Sequence, residues 1–407
     1  MTELLPPTVT TPPPVHLWDL EDVPEMEFDP FLARQLREEP VSRIRLPYGT
    51  GHAWLVTRYE DVRLVTSDPR FSRTEVAGKD VTRMSPHQVA ANEAVGYADP
   101  PEHTRLRRTV AKAFTSRRVD SLRVRARRIA DELADTMADH GPPLDLVAHL
   151  HRPLPMAVTS ELMGVPEPDR PALARCTELI LSAAHSREDS ERAQQEIQAY
   201  FGTLLQSRAG ERGDDVAALL AAELAQGHLS EGEAVALAVT IQISGLHAVT
   251  NNSANMVYLL LTRPGLWDRL RSDPAVLPAA VEELLRYIPH RRGVGIGRIA
   301  TEDVAVGEVV IPAGDIVYAS YLTANRDPAA FEDPDRIDFD RTDNAHVSFG
   351  HGQHHCLAAM LARMESEVML STLLRRFPDL RLAVPAEEIT WTPRPLIRGP
   401  RALPVAW

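Results

Sequence analysis

The chain has 407 residues, 44% of them hydrophobic, with a formal net charge of −13 at pH 7; that length buries a large interior, and the acidic sum argues against a nucleic-acid partner. Its two cysteines, Cys176 and Cys356, are too few for a disulfide scaffold and fit a reducing compartment. No apolar run reaches the roughly 18 residues of a membrane span, and the start lacks the basic and apolar regions of a secretion signal, so an unanchored cytoplasmic protein with no membrane partner is expected.

Residues 1–20, with Pro6, Pro7, Pro12, Pro13 and Pro14, read as an extended arm, and residues 21–407 as a single domain. Residues 53–57 (Ala-Trp-Leu-Val-Thr) have strand character and 59–66 read as a following helix. From 77 to 98 no period is sustained, which predicts a long loop of the kind that often carries function. Apolar residues three and four apart then predict helices over 101–113, 117–138, 190–208 and 230–262. Residues 281–287 are helical by the same pattern. Residues 301–310 form a predicted hairpin with Gly307 in its turn, and a last helix is predicted over 357–377. The fold class is mostly α with a small β portion.

Before that last helix, residues 349–359 read Phe-Gly-His-Gly-Gln-His-His-Cys-Leu-Ala-Ala. Gly350 and Gly352 allow a tight turn and a close approach to a flat cofactor. Cys356 sits just ahead of a helix, whose N-terminal N–H groups stabilise a thiolate, the form that binds iron. Phe349 can pack on the loop and limit water. An iron-bound thiolate donates electron density that favours O–O cleavage. Two other readings exist: a buried structural cysteine, and a zinc site made from His351, His354, His355 and Cys356. Zinc ligands usually come in spaced pairs, whereas these crowd one loop.

The segment resembles the cysteine-loop signature of the cytochromes P-450, Phe-x-x-Gly-x-x-x-Cys-x-Gly/Ala, through Phe349, Gly352, Cys356 and Ala358. The resemblance implies b-type haem between a long central helix and the cysteine loop, with Cys356 as axial ligand and Phe349, Gly350 and Ala358 against the cofactor. Upstream, Glu283 and Arg286 share a helix face; alone they are an ordinary ion pair. With Phe331-Glu332-Asp333-Pro334-Asp335-Arg336 they are similar to the family's buried triad, here Glu283, Arg286 and Arg336. His103 and Arg107, four apart, are similar to the family's propionate-facing helix start, and Arg298 and His354 to its other propionate partners.

The central helix departs from the family. Where an acid and an alcohol usually stand, the register is Ser244-Gly245-Leu246-His247-Ala248, so Gly245 keeps a close approach while His247 and Ala248 replace the pair. His247 is read as a proton relay, a substrate contact or a core histidine. Ser244 and Gly245 join it as catalytic candidates. Met84, Val89, Asn92, Ile243, Val294, Leu396 and Ile397 are substrate candidates by position, as are His290 and Arg291.

The resemblance further implies dioxygen, electrons from NAD(P)H through ferredoxin reductase and a ferredoxin, a small-molecule natural-product substrate and a monomeric enzyme. Arg105, Arg108, Lys112, Arg117 and Arg118 form the expected ferredoxin-steering group. The missing acid and alcohol suggest oxidative coupling of an aromatic scaffold, for example a tryptophan-containing cyclodipeptide. Ordinary hydroxylation is the alternative within enzymes, and a non-catalytic haem sensor or binder the alternative outside them.

Overall fold

The computed structural model describes residues 13–19, 23–24, 26–84, 95–181, 186–210, 213–291, 293–393 and 396–407. The largest sheet has 6 strands, in the order Val15–Leu17, Val41–Arg45, Ala53–Val56, Ile316–Ala319, Arg298–Ala300 and Phe71–Ser72. Part of the proline-rich arm is therefore a sheet edge, since Val15–Leu17 pairs in parallel with Val41–Arg45. Arg298–Ala300 is brought next to Ile316–Ala319 by antiparallel pairing, and its residues are buried. The predicted hairpin is present as Val304–Val306 and Val309–Ile311, with Gly307 at φ 56°, a conformation that a residue with a Cβ resists.

Helices make up most of the rest of the core. The central helix, Glu231–Thr262, spans 32 residues. Its start is fixed by a capping box in which Ser230 accepts from the Glu233 N–H while the Glu233 carboxylate accepts from the Ser230 N–H. No proline interrupts it, and it packs against Pro153–Met163, Arg187–Ser207, Val216–Ala225 and Ala359–Arg376. The predicted helix over 101–113 is Glu102–Ala111 followed by a 3-10 turn, and that over 117–138 is Ser116–His140, closed by Gly141 at φ 72°. The helix over 190–208 begins earlier, at Arg187, because Ser186 caps it by accepting from the Asp189 N–H.

Six helices among the described residues have no counterpart in the sequence reading: Pro30–Glu38, Pro153–Met163, Arg170–Leu181, Val216–Ala225, Leu266–Ser272 and the short Tyr321–Ala324. Val216–Ala225 (VAALLAAELA) shows why. It is apolar nearly all round, and a helix buried on most sides has no amphipathic stripe to reveal it.

Candidate active site

Cys356 stands three residues before Ala359, the first residue of the final helix, Ala359–Arg376. The helix starts later than predicted because Ala358 is its non-helical cap, at φ −93° and ψ 18°. The loop is held by its own backbone: Gly350 N–H donates to the Val347 carbonyl at 2.8 Å, His355 N–H to Gly352 at 3.0 Å and Cys356 N–H to Phe349 at 2.7 Å. Gly350 and Gly352 have φ 79° and 71°. A Cβ on Gly352 would lie 2.3 Å from the Thr66 carbonyl, so this glycine admits the backbone of Tyr59–Ser67 rather than a cofactor face.

Cys356 is exposed as a residue, yet protein atoms surround its thiol closely. That burial raises the thiol above its ordinary value, against a backbone N–H of Ala358 and the charges of Arg107, Arg363 and Arg291, which favour thiolate. Arg363 lies over the Phe349 ring at 4.4 Å and is held by Glu282 at 2.6 and 2.8 Å. The three loop histidines do not converge on the sulfur as a zinc site requires. His351 turns to Arg63 and Thr66, both at 3.3 Å, and His354 lies against His103 with the rings tilted at 57° and their centroids 4.3 Å apart.

Behind the loop lies a buried ion pair. Glu283 and Arg286 are 0% and 1% exposed and joined by two bonds of 2.8 and 2.7 Å. Arg286 also donates to the carbonyls of Asn325, Pro334 and Arg336, so its fork is filled. The third member differs from the expectation. Arg336 supplies only its carbonyl, and its side chain is 66% exposed on Asp338. Arg341, 9% exposed, donates to Glu283 at 3.1 Å instead. The reason is local: the Asp338 N–H already occupies Glu283 at 2.9 Å, which turns the chain so that Arg341 faces inward. Asn325 carries the pair's order onward, accepting from Val347 N–H and donating to Ser348 Oγ, immediately ahead of Phe349.

A cluster of basic side chains, with Arg73 and Arg298 as its buried cations, lies near the cysteine loop. Arg73, His103 and Arg298 are 8%, 3% and 3% exposed. Arg73 Nε, Arg298 Nη2 and His354 Nε2 are buried without a hydrogen-bond partner. Burial, then the charges of Arg73, His103, Arg298 and Arg107, push His354 down to about 2; burial and Arg298 bring Arg73 down to about 10. His103 is lowered by burial and by Arg107 and Arg73. Arg107 donates to the His355 carbonyl at 2.6 Å and so ties its helix to the cysteine loop. Unpaired buried cations beside a thiol that neighbouring charges favour as thiolate suit a flat metal cofactor bearing two carboxylates, and haem fits this donor set. Arg73 is the residue that sequence reasoning missed. It follows a two-residue strand and belongs to no motif, and Asp99 fixes it by accepting from the N–H groups of Arg73 and Thr74 at 3.1 Å and from Ser72 Oγ at 2.5 Å.

On the central helix His247 is partly buried and has no hydrogen-bond partner among the described residues; burial lowers its pKa, with Glu178 raising and Arg152 lowering it. Gly245 has a different reason from the one expected. Its Cβ would meet Thr159 Oγ1 at 2.9 Å, so it permits close packing of Pro153–Met163 on the helix. Ser244, by contrast, is exposed.

The substrate candidates divide. Met84 Sδ accepts from Val294 N–H at 2.9 Å, and Val294, 2% exposed, belongs to an apolar cluster with Trp18, Leu32 and Ile316, which makes it core. Ile243 packs against the main core. Leu396 and Ile397 are partly buried, the Ile397 carbonyl accepting from Asn251 of the central helix at 2.9 Å. Val89 and Asn92 lie outside the described residues.

Residues 178–380 match the model of a family described as Cytochrome P450. Biflaviolin synthase of Streptomyces coelicolor is 48% identical over 400 residues, 98% of either chain. Mycinamicin IV hydroxylase/epoxidase of Micromonospora griseorubida is 48% identical over 371 residues, 91% of this chain and 93% of that one. Among solved structures, cytochrome P450mel 107F1 with biaryl coupling reactivity superposes at a TM-score of 0.94 and 47% identity, covering 97% of this chain and 100% of the other. Sequence and backbone agree over nearly the whole length, and the chain belongs to the cytochrome P450 family of oxidoreductases.

Proposed function

We propose that this enzyme is a haem-thiolate oxidoreductase of natural-product biosynthesis that couples an aromatic substrate oxidatively, with Cys356 as the axial ligand. Bound haem would supply dioxygen activation, and the chain's part is to hold, orient and protonate. Cys356 would ligate iron with the Ala358 N–H and Arg107 stabilising negative charge on sulfur. Arg73, Arg298, His103 and His354 would receive the propionates. Phe349, Gly350 and Ala358 would line the thiolate side, and Glu283, Arg286 and Arg341 hold the loop through Asn325.

The observation that carries the reading is the pairing of a helix-head cysteine with buried cations whose donors lack partners. Coupling draws support from two relatives, one named a biflaviolin synthase and one described with biaryl coupling reactivity. It also draws on Ala248, which offers no hydroxyl, and on His247, a mostly neutral imidazole able to pass a proton without a charged partner. Hydroxylation is the second reading, since a relative of equal identity is named a hydroxylase/epoxidase. Electrons would come from NAD(P)H through a reductase and an acidic ferredoxin, with the protein cytoplasmic and monomeric. The test is turnover of candidate aromatic natural products, tryptophan-containing cyclodipeptides among them, with ferredoxin, reductase and NADPH. A product of two substrates less two hydrogens supports coupling, one gained oxygen supports hydroxylation, and no substrate-dependent oxygen uptake with any of them points to a sensor or binder.

A further inference from the structure

Two histidines outside the cysteine loop stand together at the surface. His140 ends the 25-residue helix Ser116–His140, and His149 lies in the short helical turn Val147–His151. Their ring centroids are 5.7 Å apart, with the ring planes inclined at 59°. Each ring is oriented by the backbone: His140 Nδ1 bonds the Thr136 carbonyl at 2.8 Å, and His149 Nδ1 bonds the Asp145 carbonyl at 2.9 Å. A carbonyl oxygen only accepts, so both Nδ1 atoms carry the proton, and in the neutral rings both Nε2 atoms keep a lone pair. Neither Nε2 has a hydrogen-bond partner among the described residues; His140 is exposed and His149 partly so.

An imidazole whose Nδ1–H is fixed on a carbonyl while its Nε2 is free is the arrangement that metal-ligating histidines adopt. The spacing agrees. A Zn–N bond is about 2.0–2.1 Å and Nε2 lies about 1.1 Å from its ring centre, so two imidazoles on one tetrahedral ion have centroids about 5–6 Å apart. The turn between the rings is held without any ion: Asp145 accepts from the N–H groups of Val147 at 3.0 Å and Leu403 at 2.7 Å, and Leu144–Asp145 pairs with Pro404–Ala406. The C-terminal end of the long helix favours a cation beside it. No third histidine, cysteine or carboxylate completes the set among the described residues, which leaves the other positions on an ion to water.

We propose that His140 and His149 bind one divalent ion of the class that prefers imidazole, zinc, nickel or copper(II), through their Nε2 atoms. Magnesium and calcium, which take oxygen ligands, are not bound there. The ion clips the end of Ser116–His140 to the turn Val147–His151. That turn supports the central helix, since His151 Nδ1 lies 2.8 Å from Ser253 Oγ.

The experiment titrates haem-loaded protein, without a histidine tag, with zinc chloride by calorimetry at about pH 8, where imidazole is neutral. Wild type is compared with His140→Ala, His149→Ala and His228→Ala, the last removing an exposed histidine elsewhere. Wild type and His228→Ala should bind zinc alike, and each of the other substitutions should weaken binding at least about tenfold. Zinc should raise the thermal midpoint of wild type and leave that of His140→Ala where it was, while magnesium chloride moves neither. Because His140 is exposed, His140→Ala should match wild type in metal-free melting and in the reduced carbon monoxide spectrum. Zinc affinity unchanged in both His140→Ala and His149→Ala, equal loss in His228→Ala, an equal response to magnesium, or no zinc binding by wild type overturns the proposal.

Discussion

Glu283 shows how one residue's worth depends on who faces it. Its carboxylate accepts from Arg286, the Asp338 N–H, Arg341 and Asn344 and is itself fully buried. Removing one partner of such a buried pair costs about 3–5 kcal/mol, whereas an exposed arginine on Asp338 contributes about 0–1 kcal/mol. Arg341→Ala should therefore lower stability and haem loading sharply while Arg336→Ala stays near wild type, read by thermal melting and haem content; equal effects would contradict the assignment. The sequence made Glu283 and Arg286 legible because they are three apart on one helix. It did not separate Arg336 from Arg341, since both follow a phenylalanine in one acidic segment and only the turn at Asp338 decides which points inward. Cys356 was legible for the opposite reason, since the backbone bonds that shape its loop, to Phe349 and Ala358, lie within a few residues of chain.

At the scale of the element, the central helix carries the departure from the family. Its boundaries were readable from apolar residues three and four apart, but the purpose of Gly245 was not, because the neighbour that requires it, Thr159, is distant in sequence. His247 sits one turn from Asn251, which ties the helix to the turn at Ile397, so substrate and imidazole can meet on one rigid element. His247→Ala should leave haem content and spectrum intact while reducing product formed per NADPH consumed by about tenfold, the low end of a general acid-base contribution being larger still. An unchanged ratio and product would make the histidine structural. The Glu282 side chain binds His346 and Arg363, and Arg363 lies over the Phe349 ring of the cysteine loop, a link no spacing rule shows.

Over the whole molecule, net charge and local charge point in different directions. Of the basic group near the cysteine loop, Arg105 is paired with Glu102 and Glu233, Lys112 with Glu223 at 2.7 Å and Arg118 with Asp214 at 3.1 Å. Arg108 and Arg117 are exposed and have no side-chain partner among the described residues. They are the charges available to steer an acidic ferredoxin, so Arg108→Glu with Arg117→Glu should slow electron transfer about tenfold at low salt, and added salt should slow the wild type. A rate indifferent to both would remove this docking face.

Stability should also depend on acidity through buried histidines. His151 and His290 are held near about 3 by burial, against an ordinary 6.5. Their folded values lie below the unfolded one, so the unfolded chain binds more protons between those limits, and stability is full above about pH 6.5 and falls as pH drops toward 3. Each contributes a slope of about 1.4 kcal/mol per pH unit within that window. Denaturant unfolding at several pH values should show a shallower fall for His151→Asn, which removes one titrating group; an unaltered slope would contradict its neutral burial.

The central claim is that Cys356 holds haem iron as thiolate, and the reduced carbon monoxide difference spectrum tests it most directly. Wild-type protein should give the red-shifted Soret band of thiolate ligation, and Cys356→His should lose it while haem can still bind. Survival of the band in Cys356→His, or its absence from haem-loaded wild type, would contradict the account.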